Sequence, residues 1–205
     1  MKKFLPLACA FLAVFVYASG VSAAEWRFPI GLTYATGFHD VFNLYKNNVT
    51  AQGLSIDNQF YWPVGVSFQP YLLFQNGLGI GAGIGSFTYI HSSGGSKDYN
   101  FYDIPINLTV RYTPLPQSDI SPYIRVGGSY HIAWGDFVDK SNIGFLGALG
   151  IEFFRARKVS FGIEAAYDSA EVTFDKYQNL GSTLFSKGQE KINPGNFVFG
   201  LYIIF

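Results

Sequence analysis

Large apolar side chains fall on every second position of this chain, and mostly small or polar residues lie between them. The last stretch shows it most plainly: Phe197, Phe199, Leu201, Ile203 and Phe205 alternate with Asn196, Val198, Gly200, Tyr202 and Ile204. A period of two is the signature of a β-strand with two chemically different faces. The pattern recurs around Phe28–Phe38, Phe60–Phe68, Leu78–Ile84, Ile104–Tyr112, Ile124–Trp134, Ile143–Phe153 and Val159–Tyr167. Eight such stretches predict eight strands.

The two faces cannot both be accommodated in water. An eight-stranded barrel has an interior just wide enough for side chains. Gly79, Gly81, Gly83 and Gly85, or Arg125, Gly127, Ser129 and His131, suit that interior, whereas the aromatic and aliphatic set on the other parity does not. The large face must therefore point outward, and lipid is the solvent that tolerates it. Composition agrees: aromatics make up 19% of the chain and charged residues 14%, against a usual charged share of about 25%. A strand of about 11 residues, tilted by ~40°, rises about 28 Å, the height of an outer-membrane apolar band. The predicted fold class is all-β, a transmembrane eight-stranded antiparallel up-and-down β-barrel.

The chain begins with Lys2 and Lys3, an apolar run from Phe4 to about Tyr17, and small residues through Ala23 and Ala24. This is the layout of a secretory signal peptide, with cleavage after Ala23 or Ala24. Residues 1–24 are read as the signal and 25–205 as the barrel. Cys9 lies within the signal segment. Connections alternate long and short: 39–58, 91–101, 135–142 and 169–194 on one side, 74–77, 114–120 and 155–158 on the other. Outer-membrane barrels have long extracellular loops and short periplasmic turns. The expected location is the bacterial outer membrane with both termini in the periplasm. Phe28, Tyr112, Phe153 and Phe205 then form one aromatic girdle, and Phe60, Trp62, Trp134 and Tyr167 the other. Basic and acidic residues balance at 14 each, without a basic run, so nothing points to nucleic acid.

On these features the whole chain after residue 24 resembles the small outer-membrane barrel class typified by OmpA, OmpX and OmpW. The terminal aromatic with its alternating partners (Phe197, Phe199, Leu201, Ile203 and Phe205) resembles the signal such proteins present to the barrel-assembly machinery. The resemblance implies outer-membrane lipid and lipopolysaccharide as surroundings, a monomer, no cofactor, and a non-enzymatic role in envelope integrity or surface interaction. The alternatives are transport of a small hydrophobic ligand through the outer half of the lumen and, less favoured, modification of lipid A.

Candidate functional residues divide by position. Arg111 and Arg125 flank one short turn, Glu152 and Glu164 the next, all on inward parity. They are expected to form an Arg–Glu network plugging the periplasmic half of the lumen, because buried charges need partners. Tyr45, Lys46, Lys176, Tyr177, Lys187 and Lys191 occupy the two longest loops, where they suit lipopolysaccharide phosphates or a surface ligand. His91 and Ser93, with Asp103, form a weak match to the His-x-Ser pair of lipid A deacylases. Their inward parity and mid-chain position weigh against catalysis there. His39 and His131 are far apart in sequence, so no metal site is expected.

Overall fold

The computed structural model describes residues 24–85, 88–94, 97–179 and 185–205. The expected signal peptide lies outside them apart from Ala24. The strands are β1 (Ala24–Arg27), β2 (Pro29–Ala35), β3 (Ile56–Trp62), β4 (Val64–Phe68), β5 (Tyr71–Phe74), β6 (Leu78–Ile84), β7 (Thr88–Gly94) and β8 (Lys97–Tyr112). They continue with β9 (Ile120–Gly135), β10 (Val138–Ser141), β11 (Ile143–Phe153), β12 (Ser160–Asp168), β13 (Val172–Asn179), β14 (Phe185–Ile192) and β15 (Asn196–Ile204). A helix, α1 (Phe38–Ala51), follows β2.

Eight of these strands close into an antiparallel barrel in the order β2–β4–β6–β8–β9–β11–β12–β15, and β15 returns to β2. The closing ladder pairs Val198 with Ala35, Leu201 with Leu32 and Ile204 with Pro29. Below it, Phe28 N–H donates to the Phe205 carbonyl at 3.0 Å. The last strand thus completes the wall instead of leaving an unpaired edge. β1 extends the first strand and pairs with β5, which continues β4 beyond a break at Gln69–Pro70. Proline has no N–H for the ladder, which suits an interruption at that point.

The wall has the predicted polarity. Leu149 and Leu201 are each 63% exposed, while inward Arg125 and Tyr123 are buried. Trp26 stacks on Phe28 at the turn end, and Tyr102 on Trp134 at the opposite end. Phe197 and Tyr167 also touch at that opposite end.

The far end departs from the expected loops. Segment 39–58 is mostly α1, and 91–101 is mostly continuous strand in β7 and β8. Segments 135–142 and 169–194 supply β10, β13 and β14, which form a separate three-stranded sheet. Phe38, expected on the outer face of the first strand, is the first residue of α1 and is buried.

Helix and sheet together make a cap with its own core. Phe38, Val41, Tyr45 and Val49 recur at helical spacing and pack on Ile90, Tyr99 and Phe101 from the extended wall. Val172, Phe174 and Ile192 close the core from the second sheet. Asn48, fully buried, clamps the helix to β13: its amide donates to the Asp175 carbonyl at 2.7 Å, and its oxygen accepts from Tyr177 N–H at 2.9 Å. The chain enters the cap at Gly37, where a Cβ would fall 1.9 Å from the Asn193 carbonyl oxygen, so no larger residue fits.

Tyr45, placed among the surface-binding candidates by its loop position, is instead the centre of this core. It is 0% exposed, its ring meets Phe101, Phe137 and Phe174, and its hydroxyl donates to the carbonyls of Asn100 and Asp136. Burial pushes its ionisation well above the ordinary tyrosine range. Tyr45→Ala should cost about 3–5 kcal/mol of local packing, as aromatic truncations in cores do. Hydrogen exchange should then show faster exchange across α1 and β13, with β9, β11 and β12 still protected.

Candidate functional site

The inward parity of six strands builds a column of polar residues through the barrel. Nearest the short turns, Glu152 is completely buried and receives three donors. Arg111 Nη2 lies 2.7 Å from Oε1, the Tyr71 hydroxyl 2.5 Å from Oε1, and Arg155 Nη1 2.8 Å from Oε2. Arg155 also donates to the Pro116 carbonyl at 2.6 Å, and Arg27 donates to the Arg155 carbonyl at 2.9 Å. Arg111 lies between two tyrosine rings, 4.4 Å from that of Tyr71 and 3.5 Å from that of Tyr123. A flat guanidinium suits such a stack, and an ammonium would not reproduce it.

One layer further in, Arg125 grips Glu164 with two nitrogens, Nη2–Oε1 at 2.6 Å and Nε–Oε2 at 3.2 Å. The Tyr123 hydroxyl donates to the same carboxylate at 2.9 Å, and Arg125 Nη1 donates to Asn107 Oδ1 at 3.2 Å. The four charges expected in the lumen therefore form two ion pairs, Arg111–Glu152 and Arg125–Glu164, bridged by Tyr123. The glycines opposite make room. At Gly81 a Cβ would lie 2.9 Å from Tyr71 Cβ, and at Gly150 one would lie 2.3 Å from the Tyr123 ring.

A third layer under the cap was not anticipated. His131 Nδ1 lies 2.7 Å from Asp103 Oδ2, and Nε2 lies 3.5 Å from Asp168 Oδ2. Ser129 Oγ donates to Asp168 Oδ2 at 2.5 Å. Asp168 Oδ1 accepts from Ala170 N–H at 2.9 Å, and its carbonyl accepts from the Asn193 amide. Asp168 thus anchors both ends of the excursion that carries β13 and β14. All four side chains have inward parity in the sequence, but only the tilt of the ladders brings Asp103, His131 and Asp168 into one layer. Arg27 also has inward parity. Arg155 lies beyond the alternating run, and sequence reasoning assigned it to a turn.

Two voids between the polar layers are small: about 20 Å3 between Tyr71, Arg111, Tyr123 and Tyr202, and about 50 Å3 between the Arg125–Glu164 pair and the His131 layer, with Phe38 in its lining; a larger hollow of about 950 Å3 is lined mainly by the apolar wall, Leu32, Ile124, Leu149, Phe199 and Leu201 among others. The larger of the two voids has Asp103, Arg125, His131 and Asp168 among apolar neighbours such as Phe38 and Leu146, and is roomy enough for a few water molecules. His91 Nδ1 lies 2.9 Å from Asn100 Oδ1, and its Nε2 lies 3.8 Å from Asp98 Oδ1.

The remaining candidates lie at the two surfaces. Phe197, Phe199, Leu201, Ile203 and Phe205 form the exposed face of β15 and of the residue that follows it. On the cap, Lys46 is exposed, and the three other lysines are paired with acids. Lys176 meets Glu190 at 2.9 Å, Lys187 meets Asp175 at 2.9 Å and Lys191 meets Glu171 at 3.5 Å. Tyr177 is half-buried, edge-on to Phe137. Among the described residues no group of three or more His, Cys, Asp or Glu side chains is arranged to hold a metal ion. The chain matches no protein-family model and no curated protein.

Removing one partner of a buried pair leaves the other charge uncompensated, which costs about 3–5 kcal/mol. Glu152→Gln, which strands Arg111 and Arg155, should lower the unfolding free energy of the refolded protein, measured by urea titration, by that amount. Adding Arg111→Met should recover part of the loss; a fully additive double variant would show that the two side chains act independently.

Proposed function

We propose that this protein is an integral outer-membrane barrel with a filled lumen that works non-enzymatically, in envelope integrity or surface interaction, through its cap. One observation carries the reading: the wall inverts the polarity of a soluble protein. Leu32, Val66, Leu108, Phe145, Leu149, Phe199 and Leu201 are exposed around the barrel, while Arg111, Arg125, Glu152 and Glu164 are buried inside it. Such a band is stable in a bilayer and an aggregation hazard in water. Aromatic pairs at both ends of the band sit where an interface girdle belongs.

The cap supports a role at the surface. It is not a set of solvated loops but a packed unit of helix and sheet, and groups held on rigid elements are positioned more accurately than groups on loops. The layered ion pairs and small voids favour structural filling over a path for solutes: a ligand pocket commonly needs about 300 Å3 or more.

Two measurements test the reading. In planar bilayers the refolded protein should give no stable single-channel conductance, and Arg125→Ala, which opens the middle layer, should give measurable current. In vesicles containing brominated lipids, fluorescence of Trp62, Trp134 and Trp26 should be quenched most strongly by bromines near the headgroups, as expected for the two rims. Steady wild-type conductance would overturn the filled lumen, and absence of quenching at any depth would overturn membrane insertion.

A further inference from the structure

The cap carries a polar cleft of about 350 Å3 on its outer side, between α1, the β13–β14 hairpin and the start of β15. Asp40, Asn43 and Asn47, at i, i+3 and i+7, form one stripe of α1 along one wall. Lys176 and Glu190 line the other wall, and Asn193 and Asn196 the end nearest the barrel. The volume is at the small end of the ligand-pocket range of about 300–1,000 Å3.

The chemistry of the lining selects a ligand class. Each side-chain amide offers two donors and one acceptor in a plane. A sugar hydroxyl both donates and accepts, so a row of amides matches adjacent hydroxyls. Asn43, Asn47 and Asp40 have no side-chain hydrogen-bond or ion-pair partner among the described residues, so those groups are available. The lysine side of the cleft is already neutralised: Lys176 pairs with Glu190, and Lys191, also at the cleft, with Glu171. A phosphate would have to compete with those carboxylates, whereas a neutral polyol would not. Asn196 also directly precedes Phe197, which is 54% exposed and packs on Tyr167 at the edge of the apolar band. The cleft therefore begins where the saccharide portion of a glycolipid in the same leaflet would stand.

We infer that this cleft binds a neutral saccharide unit, about one or two sugar rings in size, through Asn43, Asn47 and the Asp40 carboxylate. The unit comes either from the glycolipid of the surrounding membrane or from a soluble or foreign glycan. The inference deepens the surface-interaction reading but is tested without a bilayer, so either can fail while the other stands.

The test uses the refolded full-length barrel in detergent micelles. Amide resonances of Asn43 and Asn47 are followed by NMR during titration with dephosphorylated, deacylated lipopolysaccharide core oligosaccharide, and separately with a panel of neutral oligosaccharides. Saturable shifts of both amides are expected in at least one arm, and which arm responds identifies the source. Asn43→Ala/Asn47→Ala should weaken binding about tenfold or more, since two direct hydrogen bonds are lost. Alanine is the stronger helix former, so α1 should persist, which retained heat resistance of the barrel and an unchanged helical signal would verify. Lys158→Ala, exposed in the turn between β11 and β12 at the opposite end of the barrel, should leave affinity unchanged. The inference is overturned if no oligosaccharide shifts these amides, or if the double variant folds and binds as tightly as the wild type.

Discussion

The width of an eight-stranded barrel governs nearly everything else in this molecule. Side chains from eight inward faces converge on a space that holds few large groups. The chain answers with glycines where a tyrosine must cross, as at Gly81 under Tyr71 and Gly150 under Tyr123, and sends its aliphatic and aromatic mass outward. The remaining polar residues then meet in a confined interior, where an unpaired charge would be costly. Arg111 with Glu152 and Arg125 with Glu164 are consequences of that confinement. Replacing such pairs by apolar side chains is often neutral or stabilising where volume allows. Here branched apolar residues would not reproduce the stacking of a flat guanidinium between Tyr71 and Tyr123.

The same confinement makes the two ends different problems. At the turn end, Arg155 and Arg27 fold inward over Glu152, and their hydrogen bonds to backbone carbonyls finish the layer. At the other end the wall continues past the band and would leave Ile90, Tyr99 and Phe101 uncovered. Helix α1 and the β10–β13–β14 sheet cover them, giving the molecule a second core of ordinary polarity, apolar inside. Asp168 joins the two: one oxygen receives Ser129 from the lumen, the other receives Ala170 where the cap excursion begins. Polar contacts specify the joint, and apolar burial holds the cap.

Strand number, wall polarity and the inward residues were legible because period two holds across the band and parity assigns each residue a face. Three things were not. Contact across tilted ladders depends on register, so parity placed Asp103, His131 and Asp168 inside without showing that they meet. Arg155 follows the last alternating residue, where parity stops. The helix was missed although Phe38, Val41, Tyr45 and Val49 carry a 3.6-residue period, because the strand pattern running into Phe38 was extended one step too far and the rest was read as loop. Assigning Tyr45 to a surface role followed from that single misplacement.

The contrast between the two halves of the cap surface bears on function. Lysines and tyrosines are conspicuous in a sequence, and in long segments they invite a reading of charged, adaptable contact. Folding removes most of that availability: Tyr45 is buried and Lys176, Lys187 and Lys191 meet acids. Exposed ion pairs of this kind contribute little stability, yet they leave the surface nearly neutral. What remains unsatisfied is quieter in sequence, the asparagines and Asp40 on the free stripe of α1. Because Asn48 fixes the helix to β13 from its buried side, those groups are held at a set distance from the hairpin. A recognition surface of preorganised amides on a rigid helix follows from the same packing that closes the capped end of the barrel, so closure and recognition are two faces of one element.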